Sequence, residues 1–129
     1  LVAGTRAGYA YSTWPLMGDS FIPRGLSAGT PAWLDIFEDI TTVQFNHRMF
    51  AYLLVVVIGV FATLVYRSGA GGRARLAVNF LLAALVFQVV LGISTLLLHV
   101  PVALAAAHQL GAMVLLSASL YVSHVLVRQ

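Results

Sequence analysis

The chain contains no cysteine, no lysine and very little charge of either sign: charged residues are 9% of its 129 residues. Without cysteine there is neither a disulfide framework nor a thiolate metal site. Without lysine the net charge of +3 rests on seven arginines, and these are scattered rather than gathered in a basic stripe, which excludes nucleic acid as a partner. The charge that is missing is replaced by oil. Hydrophobic residues make up 60% of the chain and the mean hydropathy is +0.94, more apolar surface than a soluble domain of this size can hide. These features predict an integral membrane protein that contacts lipid directly, folded as one all-α helical bundle.

Three apolar runs reach membrane-spanning length, over 49–66, 76–98 and 102–127. Each meets the roughly 20 residues needed to cross a hydrocarbon core. The stretch RSGAGGRAR separates the first two, its glycines ending one helix and freeing a turn. The short link HVP separates the second and third, with Pro101 suited to the first turn of a helix. The opening residues 1–9 are apolar and small but too short to span, and lack the order of a signal peptide. They read as the end of a truncated fourth transmembrane helix. Residues 10–46 then form an outer loop and 47–129 a three-helix membrane bundle.

Arginine orients the bundle. Arg67, Arg73 and Arg75 lie in the glycine loop and Arg128 at the end of the chain, whereas all four acids (Asp19, Asp35, Glu38 and Asp39) lie in the long outer segment. The positive-inside rule puts the arginine side in the cytoplasm or its equivalent. Tyr9, Tyr11, Trp14 and Trp33 fit an aromatic belt on the opposite side. Within PAWLDIFEDITTVQF, Trp33, Phe37 and Ile40 share one helical face and Asp35, Glu38, Asp39 and Thr42 mostly the other, which predicts a short helix lying in the interface.

Ionisable residues in a span are costly and tend to be functional, so the four histidines carry the most information. His47 precedes Arg67 by 20 residues and His108 precedes Arg128 by 20. At 1.5 Å per residue both sit roughly 30 Å from the arginine side. The first and third helices run in the same direction, so the two rings lie at one depth, near the outer face. Two imidazoles are too few for a bare zinc or copper site but suffice for the axial positions of a haem iron. Around His108, the residues Ala105, Gly111 and Ala112 are its neighbours on the helix face and are small enough for a macrocycle to approach. Arg48, beside His47, is placed to pair with a haem propionate, and Arg6 is a second candidate near the outer end of the truncated helix. The iron ligands expected are therefore His47 and His108, with Arg48 and Arg6 as further cofactor-binding residues. His124 lies near the cytoplasmic end, too deep to join them. His99 is close enough in depth for a supporting contact. It ends a polar and small stripe on the second helix, Gln88, Gly92, Thr95 and His99, that suits helix packing and borders the same site.

The segments AGYAYSTWPLMGDSFIPRGL, FEDITTVQFNHR, LGISTLLLHVP and LAAAHQ, in this order and with these spacers, resemble the C-terminal half of haem A synthase, in the branch shared by mitochondria and alphaproteobacteria. The resemblance implies an eight-helix protein of two similar four-helix halves in the bacterial or mitochondrial inner membrane. It implies an enzyme that oxidises the C8 methyl of haem O to a formyl group, making haem A for cytochrome oxidase. This half would hold a haem b between His47 and His108 and transfer electrons. The implied partners are the N-terminal half of the same protein, a haem O synthase, and an electron donor such as a quinol. Two departures stand out. Asn46 occupies a place where some members carry an aspartate, and no acid lies in any span, so nothing matches the catalytic glutamate of the other half. No catalytic residue is assigned here, and the reaction is not complete in this half alone. On the residues by themselves, a stand-alone bis-histidine membrane cytochrome acting as an electron carrier is the alternative.

Overall fold

The computed structural model describes residues 2, 6–26, 34 and 37–128. Its main elements are three long helices: α1 (Ile40–Arg67), α2 (Gly72–Leu97) and α3 (Val102–Val127), with a 3-10 turn at Ala7–Tyr9 before them. All three helices are long and apolar enough to cross a membrane, and no strand occurs among the described residues. The protein is an all-α membrane protein.

The start of α1 differs from the expected one. The apolar run begins at Met49, but the helix begins at Ile40, so 40–46, expected in the outer loop and partly in its short interfacial helix, are the first turns of α1. Two causes act together. Asp39 caps the helix, its carboxylate accepting from the Thr42 N–H at 2.7 Å. Beyond the cap, Thr42, Val43, Gln44 and Arg48 are buried, and Gln44 and Arg48 bond to the outer segment, so polar side chains that have no place in lipid are covered by protein instead. Of the expected interfacial helix, Phe37 and Glu38 are helical and exposed, while Trp33 and Asp35 lie outside the described residues. Much of the expected helix end at 1–9 also lies outside them. Of the residues described there, Val2 is helical, Arg6 lies in a turn and Ala7–Tyr9 form the 3-10 turn.

At the arginine side, Gly69 follows the end of α1 with φ +73°, a left-handed residue placed where a helix reverses into a turn. Tyr66 donates from its hydroxyl to Asn79 Oδ1 and so ties α1 to α2 just inside that turn. Between these ends the helix hydroxyls satisfy themselves: Thr63, Ser117, Ser119 and Ser123 each donate to the carbonyl four residues earlier, at 2.8–2.9 Å. In a medium without water this removes the cost of an unpaired donor.

Packing is uneven along the bundle. The core consists of Ile58, Ala62 and Val65 from α1, Ala74, Ala77, Val78, Leu81 and Leu85 from α2, and Leu115, Ala118, Val122 and Val125 from α3. All of these but Leu85, at the middle of α2, lie in the arginine-side half. Small residues at facing positions let the backbones approach closely, which is how helices associate when lipid is as apolar as the core. The α2–α3 pair packs along much of its length, α1 packs less extensively on α2, and α1 barely touches α3.

Candidate functional site

The two expected ligands meet. The rings of His47 and His108 lie with centroids 6.2 Å apart and planes at 81°, an edge-on arrangement across the outer half of the bundle. Helical rise explains the match in depth, because α1 and α3 run parallel and each histidine sits the same number of residues from its terminal arginine. His47 is exposed on the surface of the described chain and His108 is half-buried. His99 and His124 are both exposed and take no part in the pair.

His108 is held by α2. A Cβ on Gly92 would lie 2.9 Å from His108 Cε1, 3.4 Å from Nδ1 and 3.5 Å from Nε2, so the ring occupies a notch that any side chain at 92 would fill. One turn earlier, Gln88 Nε2 donates to the main-chain carbonyl of His108 at 2.9 Å. Gln88 Oε1 crowds against Gly111, whose lack of a side chain accommodates it. Thr95, also on this stripe, is buried and donates to Leu91 O at 2.7 Å. Gln88 and Gly92 therefore face α3 and grip the turn that carries His108. Two buried polar atoms here have no hydrogen-bond partner, His108 Nδ1 and Gln88 Oε1. In a native interior such orphaned atoms are uncommon and mark places where chemistry or a ligand is to be sought.

Arg48 has partners that the sequence did not suggest. Its guanidinium is buried and its terminal nitrogens donate to main-chain carbonyls of Tyr11, Thr13, Pro15 and Leu16 in the outer segment. Gln44, one turn away, donates to the same Tyr11 carbonyl at 2.9 Å and is only 3% exposed. Local spacing gives no hint of this, because the acceptors are backbone atoms more than 30 residues away. Arg6 is exposed and left-handed, with φ 57°, and its carbonyl accepts from the Tyr9 N–H.

The donor set constrains what can bind. Among the described residues no three His, Cys, Asp or Glu side chains gather where they would hold one ion. The pair offers two imidazoles, and a metal bound only by them would need its other ligands from elsewhere. A planar tetrapyrrole brings four of its own. The separation fits as well. A metal held at roughly 2 Å from a nitrogen of each of two imidazoles sets the ring centroids on the order of 6 Å apart, and the observed value is 6.2 Å.

Comparison with known proteins identifies the family. The family model described as cytochrome oxidase assembly protein matches residues 1–120. A haem A synthase of Nitrosospira multiformis is 49% identical over 128 residues, covering 99% of this chain and 36% of that protein. A Bradyrhizobium haem A synthase is 47% identical over 119 residues, covering 91% of this chain and 33% of that protein. The mouse haem A synthase is 43% identical over 127 residues, covering 98% of this chain and 31% of that protein. The chain thus spans about a third of the length of the curated relatives it matches. No solved structure matches it. Three membrane-spanning helices, an outer histidine pair and a match over nearly the whole chain lead to one conclusion: the chain belongs to the cytochrome oxidase assembly protein family.

Proposed function

We propose that this chain is the haem-b-holding, electron-transferring part of a haem A synthase of the inner membrane, in a protein whose other half oxidises the C8 methyl of haem O. The observation that carries the reading is the His47–His108 pair, two imidazoles at one depth on parallel helices with their rings 6.2 Å apart. When bound there, haem iron supplies one-electron transfer at a potential set by its axial ligands and surroundings.

The chain's own residues do the rest. Burial of His108 Nδ1 against α2 leaves Nε2 as the ligating nitrogen. Gln88, by holding the His108 carbonyl, fixes the turn from which that ring projects. Gly92 keeps the notch open for it. His47, on α1, has an exposed ring that would hold the haem iron together with His108. The exposed apolar residues near this level, Phe50, Phe87 and Leu110, are suited to porphyrin edges, lipid or the other half of the protein. Haem O synthase and a quinol-type donor are the partners this role calls for.

The test is optical. The full-length protein, purified with its haem, is expected to show a low-spin bis-imidazole spectrum that His47→Ala and His108→Ala each abolish. A wild-type protein that shows no Soret band after haem supplementation overturns the reading.

A further inference from the structure

Gln44 and Arg48 lie one turn apart on α1, are 3% and 7% exposed, and both reach into the outer segment. Arg48 Nη1 donates to Leu16 O at 3.2 Å and Pro15 O at 3.4 Å; Nη2 donates to Thr13 O at 2.9 Å and Tyr11 O at 3.5 Å. Gln44 adds the bond to Tyr11 O. A guanidinium presents its donors in one rigid plane, and here a single plane gathers carbonyls spread from Tyr11 to Leu16. A burial this complete, matched by backbone acceptors, is the arrangement of a clamp.

The same segment is seated at its other end. Ala7 is fully buried, and a Cβ on Gly8 would meet Val100 Cγ2 at 3.1 Å. Val100 belongs to the link between α2 and α3. It is held left-handed, with φ 57° and its N–H donating to Thr95 O at 2.8 Å, an uncommon conformation for a β-branched residue. The segment therefore runs from the α2–α3 link, close before His108, to the residue next to His47. Farther along, Phe21 stacks on Tyr52 of α1 at 6.2 Å. α1 barely touches α3 directly, and this segment touches both the helix that carries His47, through Arg48, and the link that leads into the helix that carries His108, through Gly8 against Val100.

We propose that residues 7–17 form a strap that sets the separation of His47 and His108, with Arg48 as the positioning residue that fastens it to α1. The inference rests on the haem reading above, but the strap itself can be measured without haem. The experiment compares the full-length wild-type protein with Arg48→Lys, Arg48→Gln and Gly8→Leu, following hydrogen exchange of amides 11–18 and the spin state of the bound ferric haem. Lysine keeps the charge but cannot span four carbonyls. Both Arg48 variants are expected to speed exchange by about tenfold, the scale of losing one or two net hydrogen bonds, and to convert part of the low-spin signal to high-spin. Gly8→Leu, which displaces the far end with Arg48 intact, is expected to move the spin state in the same direction. Wild-type exchange and spectrum in Arg48→Lys would show that charge alone suffices, as pairing with a propionate requires, and would overturn the strap. Faster exchange with an unchanged spectrum in all three variants would overturn its control of the ligands. A low-spin spectrum that survives His108→Ala would instead sink the haem reading and leave the exchange result standing.

Discussion

The two halves of the bundle are built on opposite plans. On the arginine side and up to the middle of α2, twelve side chains from all three helices close into a core, with Val78 and Val122 fully buried. On the outer side the helices carry no comparable apolar core. Their buried residues are Thr42, Val43, Gln44 and Arg48 at one end of α1 and Thr95 on α2, and Gln44 and Arg48 are bonded to the outer segment. Both halves belong to the same three helices, each apolar enough to cross a membrane. Side-chain size and polar placement distinguish them. Alanine and valine line the core below, whereas above it the contacts are the histidine pair, the Gln88 bond to the His108 carbonyl and the Arg48 bonds to the outer segment. One half is held together by packing and the other by specific polar contacts around a site.

That contrast can be broken at several points. The largest effect is expected from His108→Ala, with complete loss of the low-spin haem spectrum, while His124→Ala, in the packed half, leaves the spectrum at wild type. Equal losses in both variants would erase the distinction between the halves. Next comes Gly92→Val, which fills the notch under the His108 ring. Haem content is expected to fall severalfold with helix content unchanged by circular dichroism, and normal haem loading would show that the notch does not matter. In the packed half, Ala118→Leu forces extra methylenes into a closed core and is expected to cost about 1–3 kcal/mol, read as a lower midpoint of unfolding in detergent, with the spectrum of the folded fraction unaltered. The smallest effect is expected from Gln88→Leu. It removes a bond worth about 1 kcal/mol but also an amide oxygen buried without a partner. Net stability should hardly change while the haem midpoint potential shifts, and a potential identical to wild type would remove Gln88 from the site.

Much of this was legible in the sequence, and the limits have a physical cause. The spans follow from apolar length, and the depth of His47 and His108 follows from helical rise counted from a fixed boundary, so both are one-dimensional quantities. The stripe of Gln88, Gly92 and Thr95 was likewise visible as a periodicity, though not which residue it would hold. Arg48 was not legible. Its partners are carbonyls, which every residue has, and they come from a segment of irregular backbone whose path no periodicity encodes. The same is true of the start of α1: hydropathy places it at Met49, but an aspartate cap and tertiary cover for polar side chains carry it back to Ile40. Wherever the backbone of the outer segment supplies the contact, composition is silent.

The link between α2 and α3 bears on how the chain enters the bilayer. It contains no residue of fixed charge, and its amides are already paired inward: Leu98 N–H to Ser94 O, His99 N–H to Leu96 O and Val100 N–H to Thr95 O, at 2.8–3.2 Å. The opposite turn carries three arginines, each of which resists translocation. The expectation is that α2 and α3 cross as a preformed hairpin, its tip carried over at little cost while the arginines stay behind as an anchor. A lysine in place of Leu98 should slow transfer of the tip, as measured by modification of a tag in the link, and an unchanged rate would show that the two helices insert one at a time.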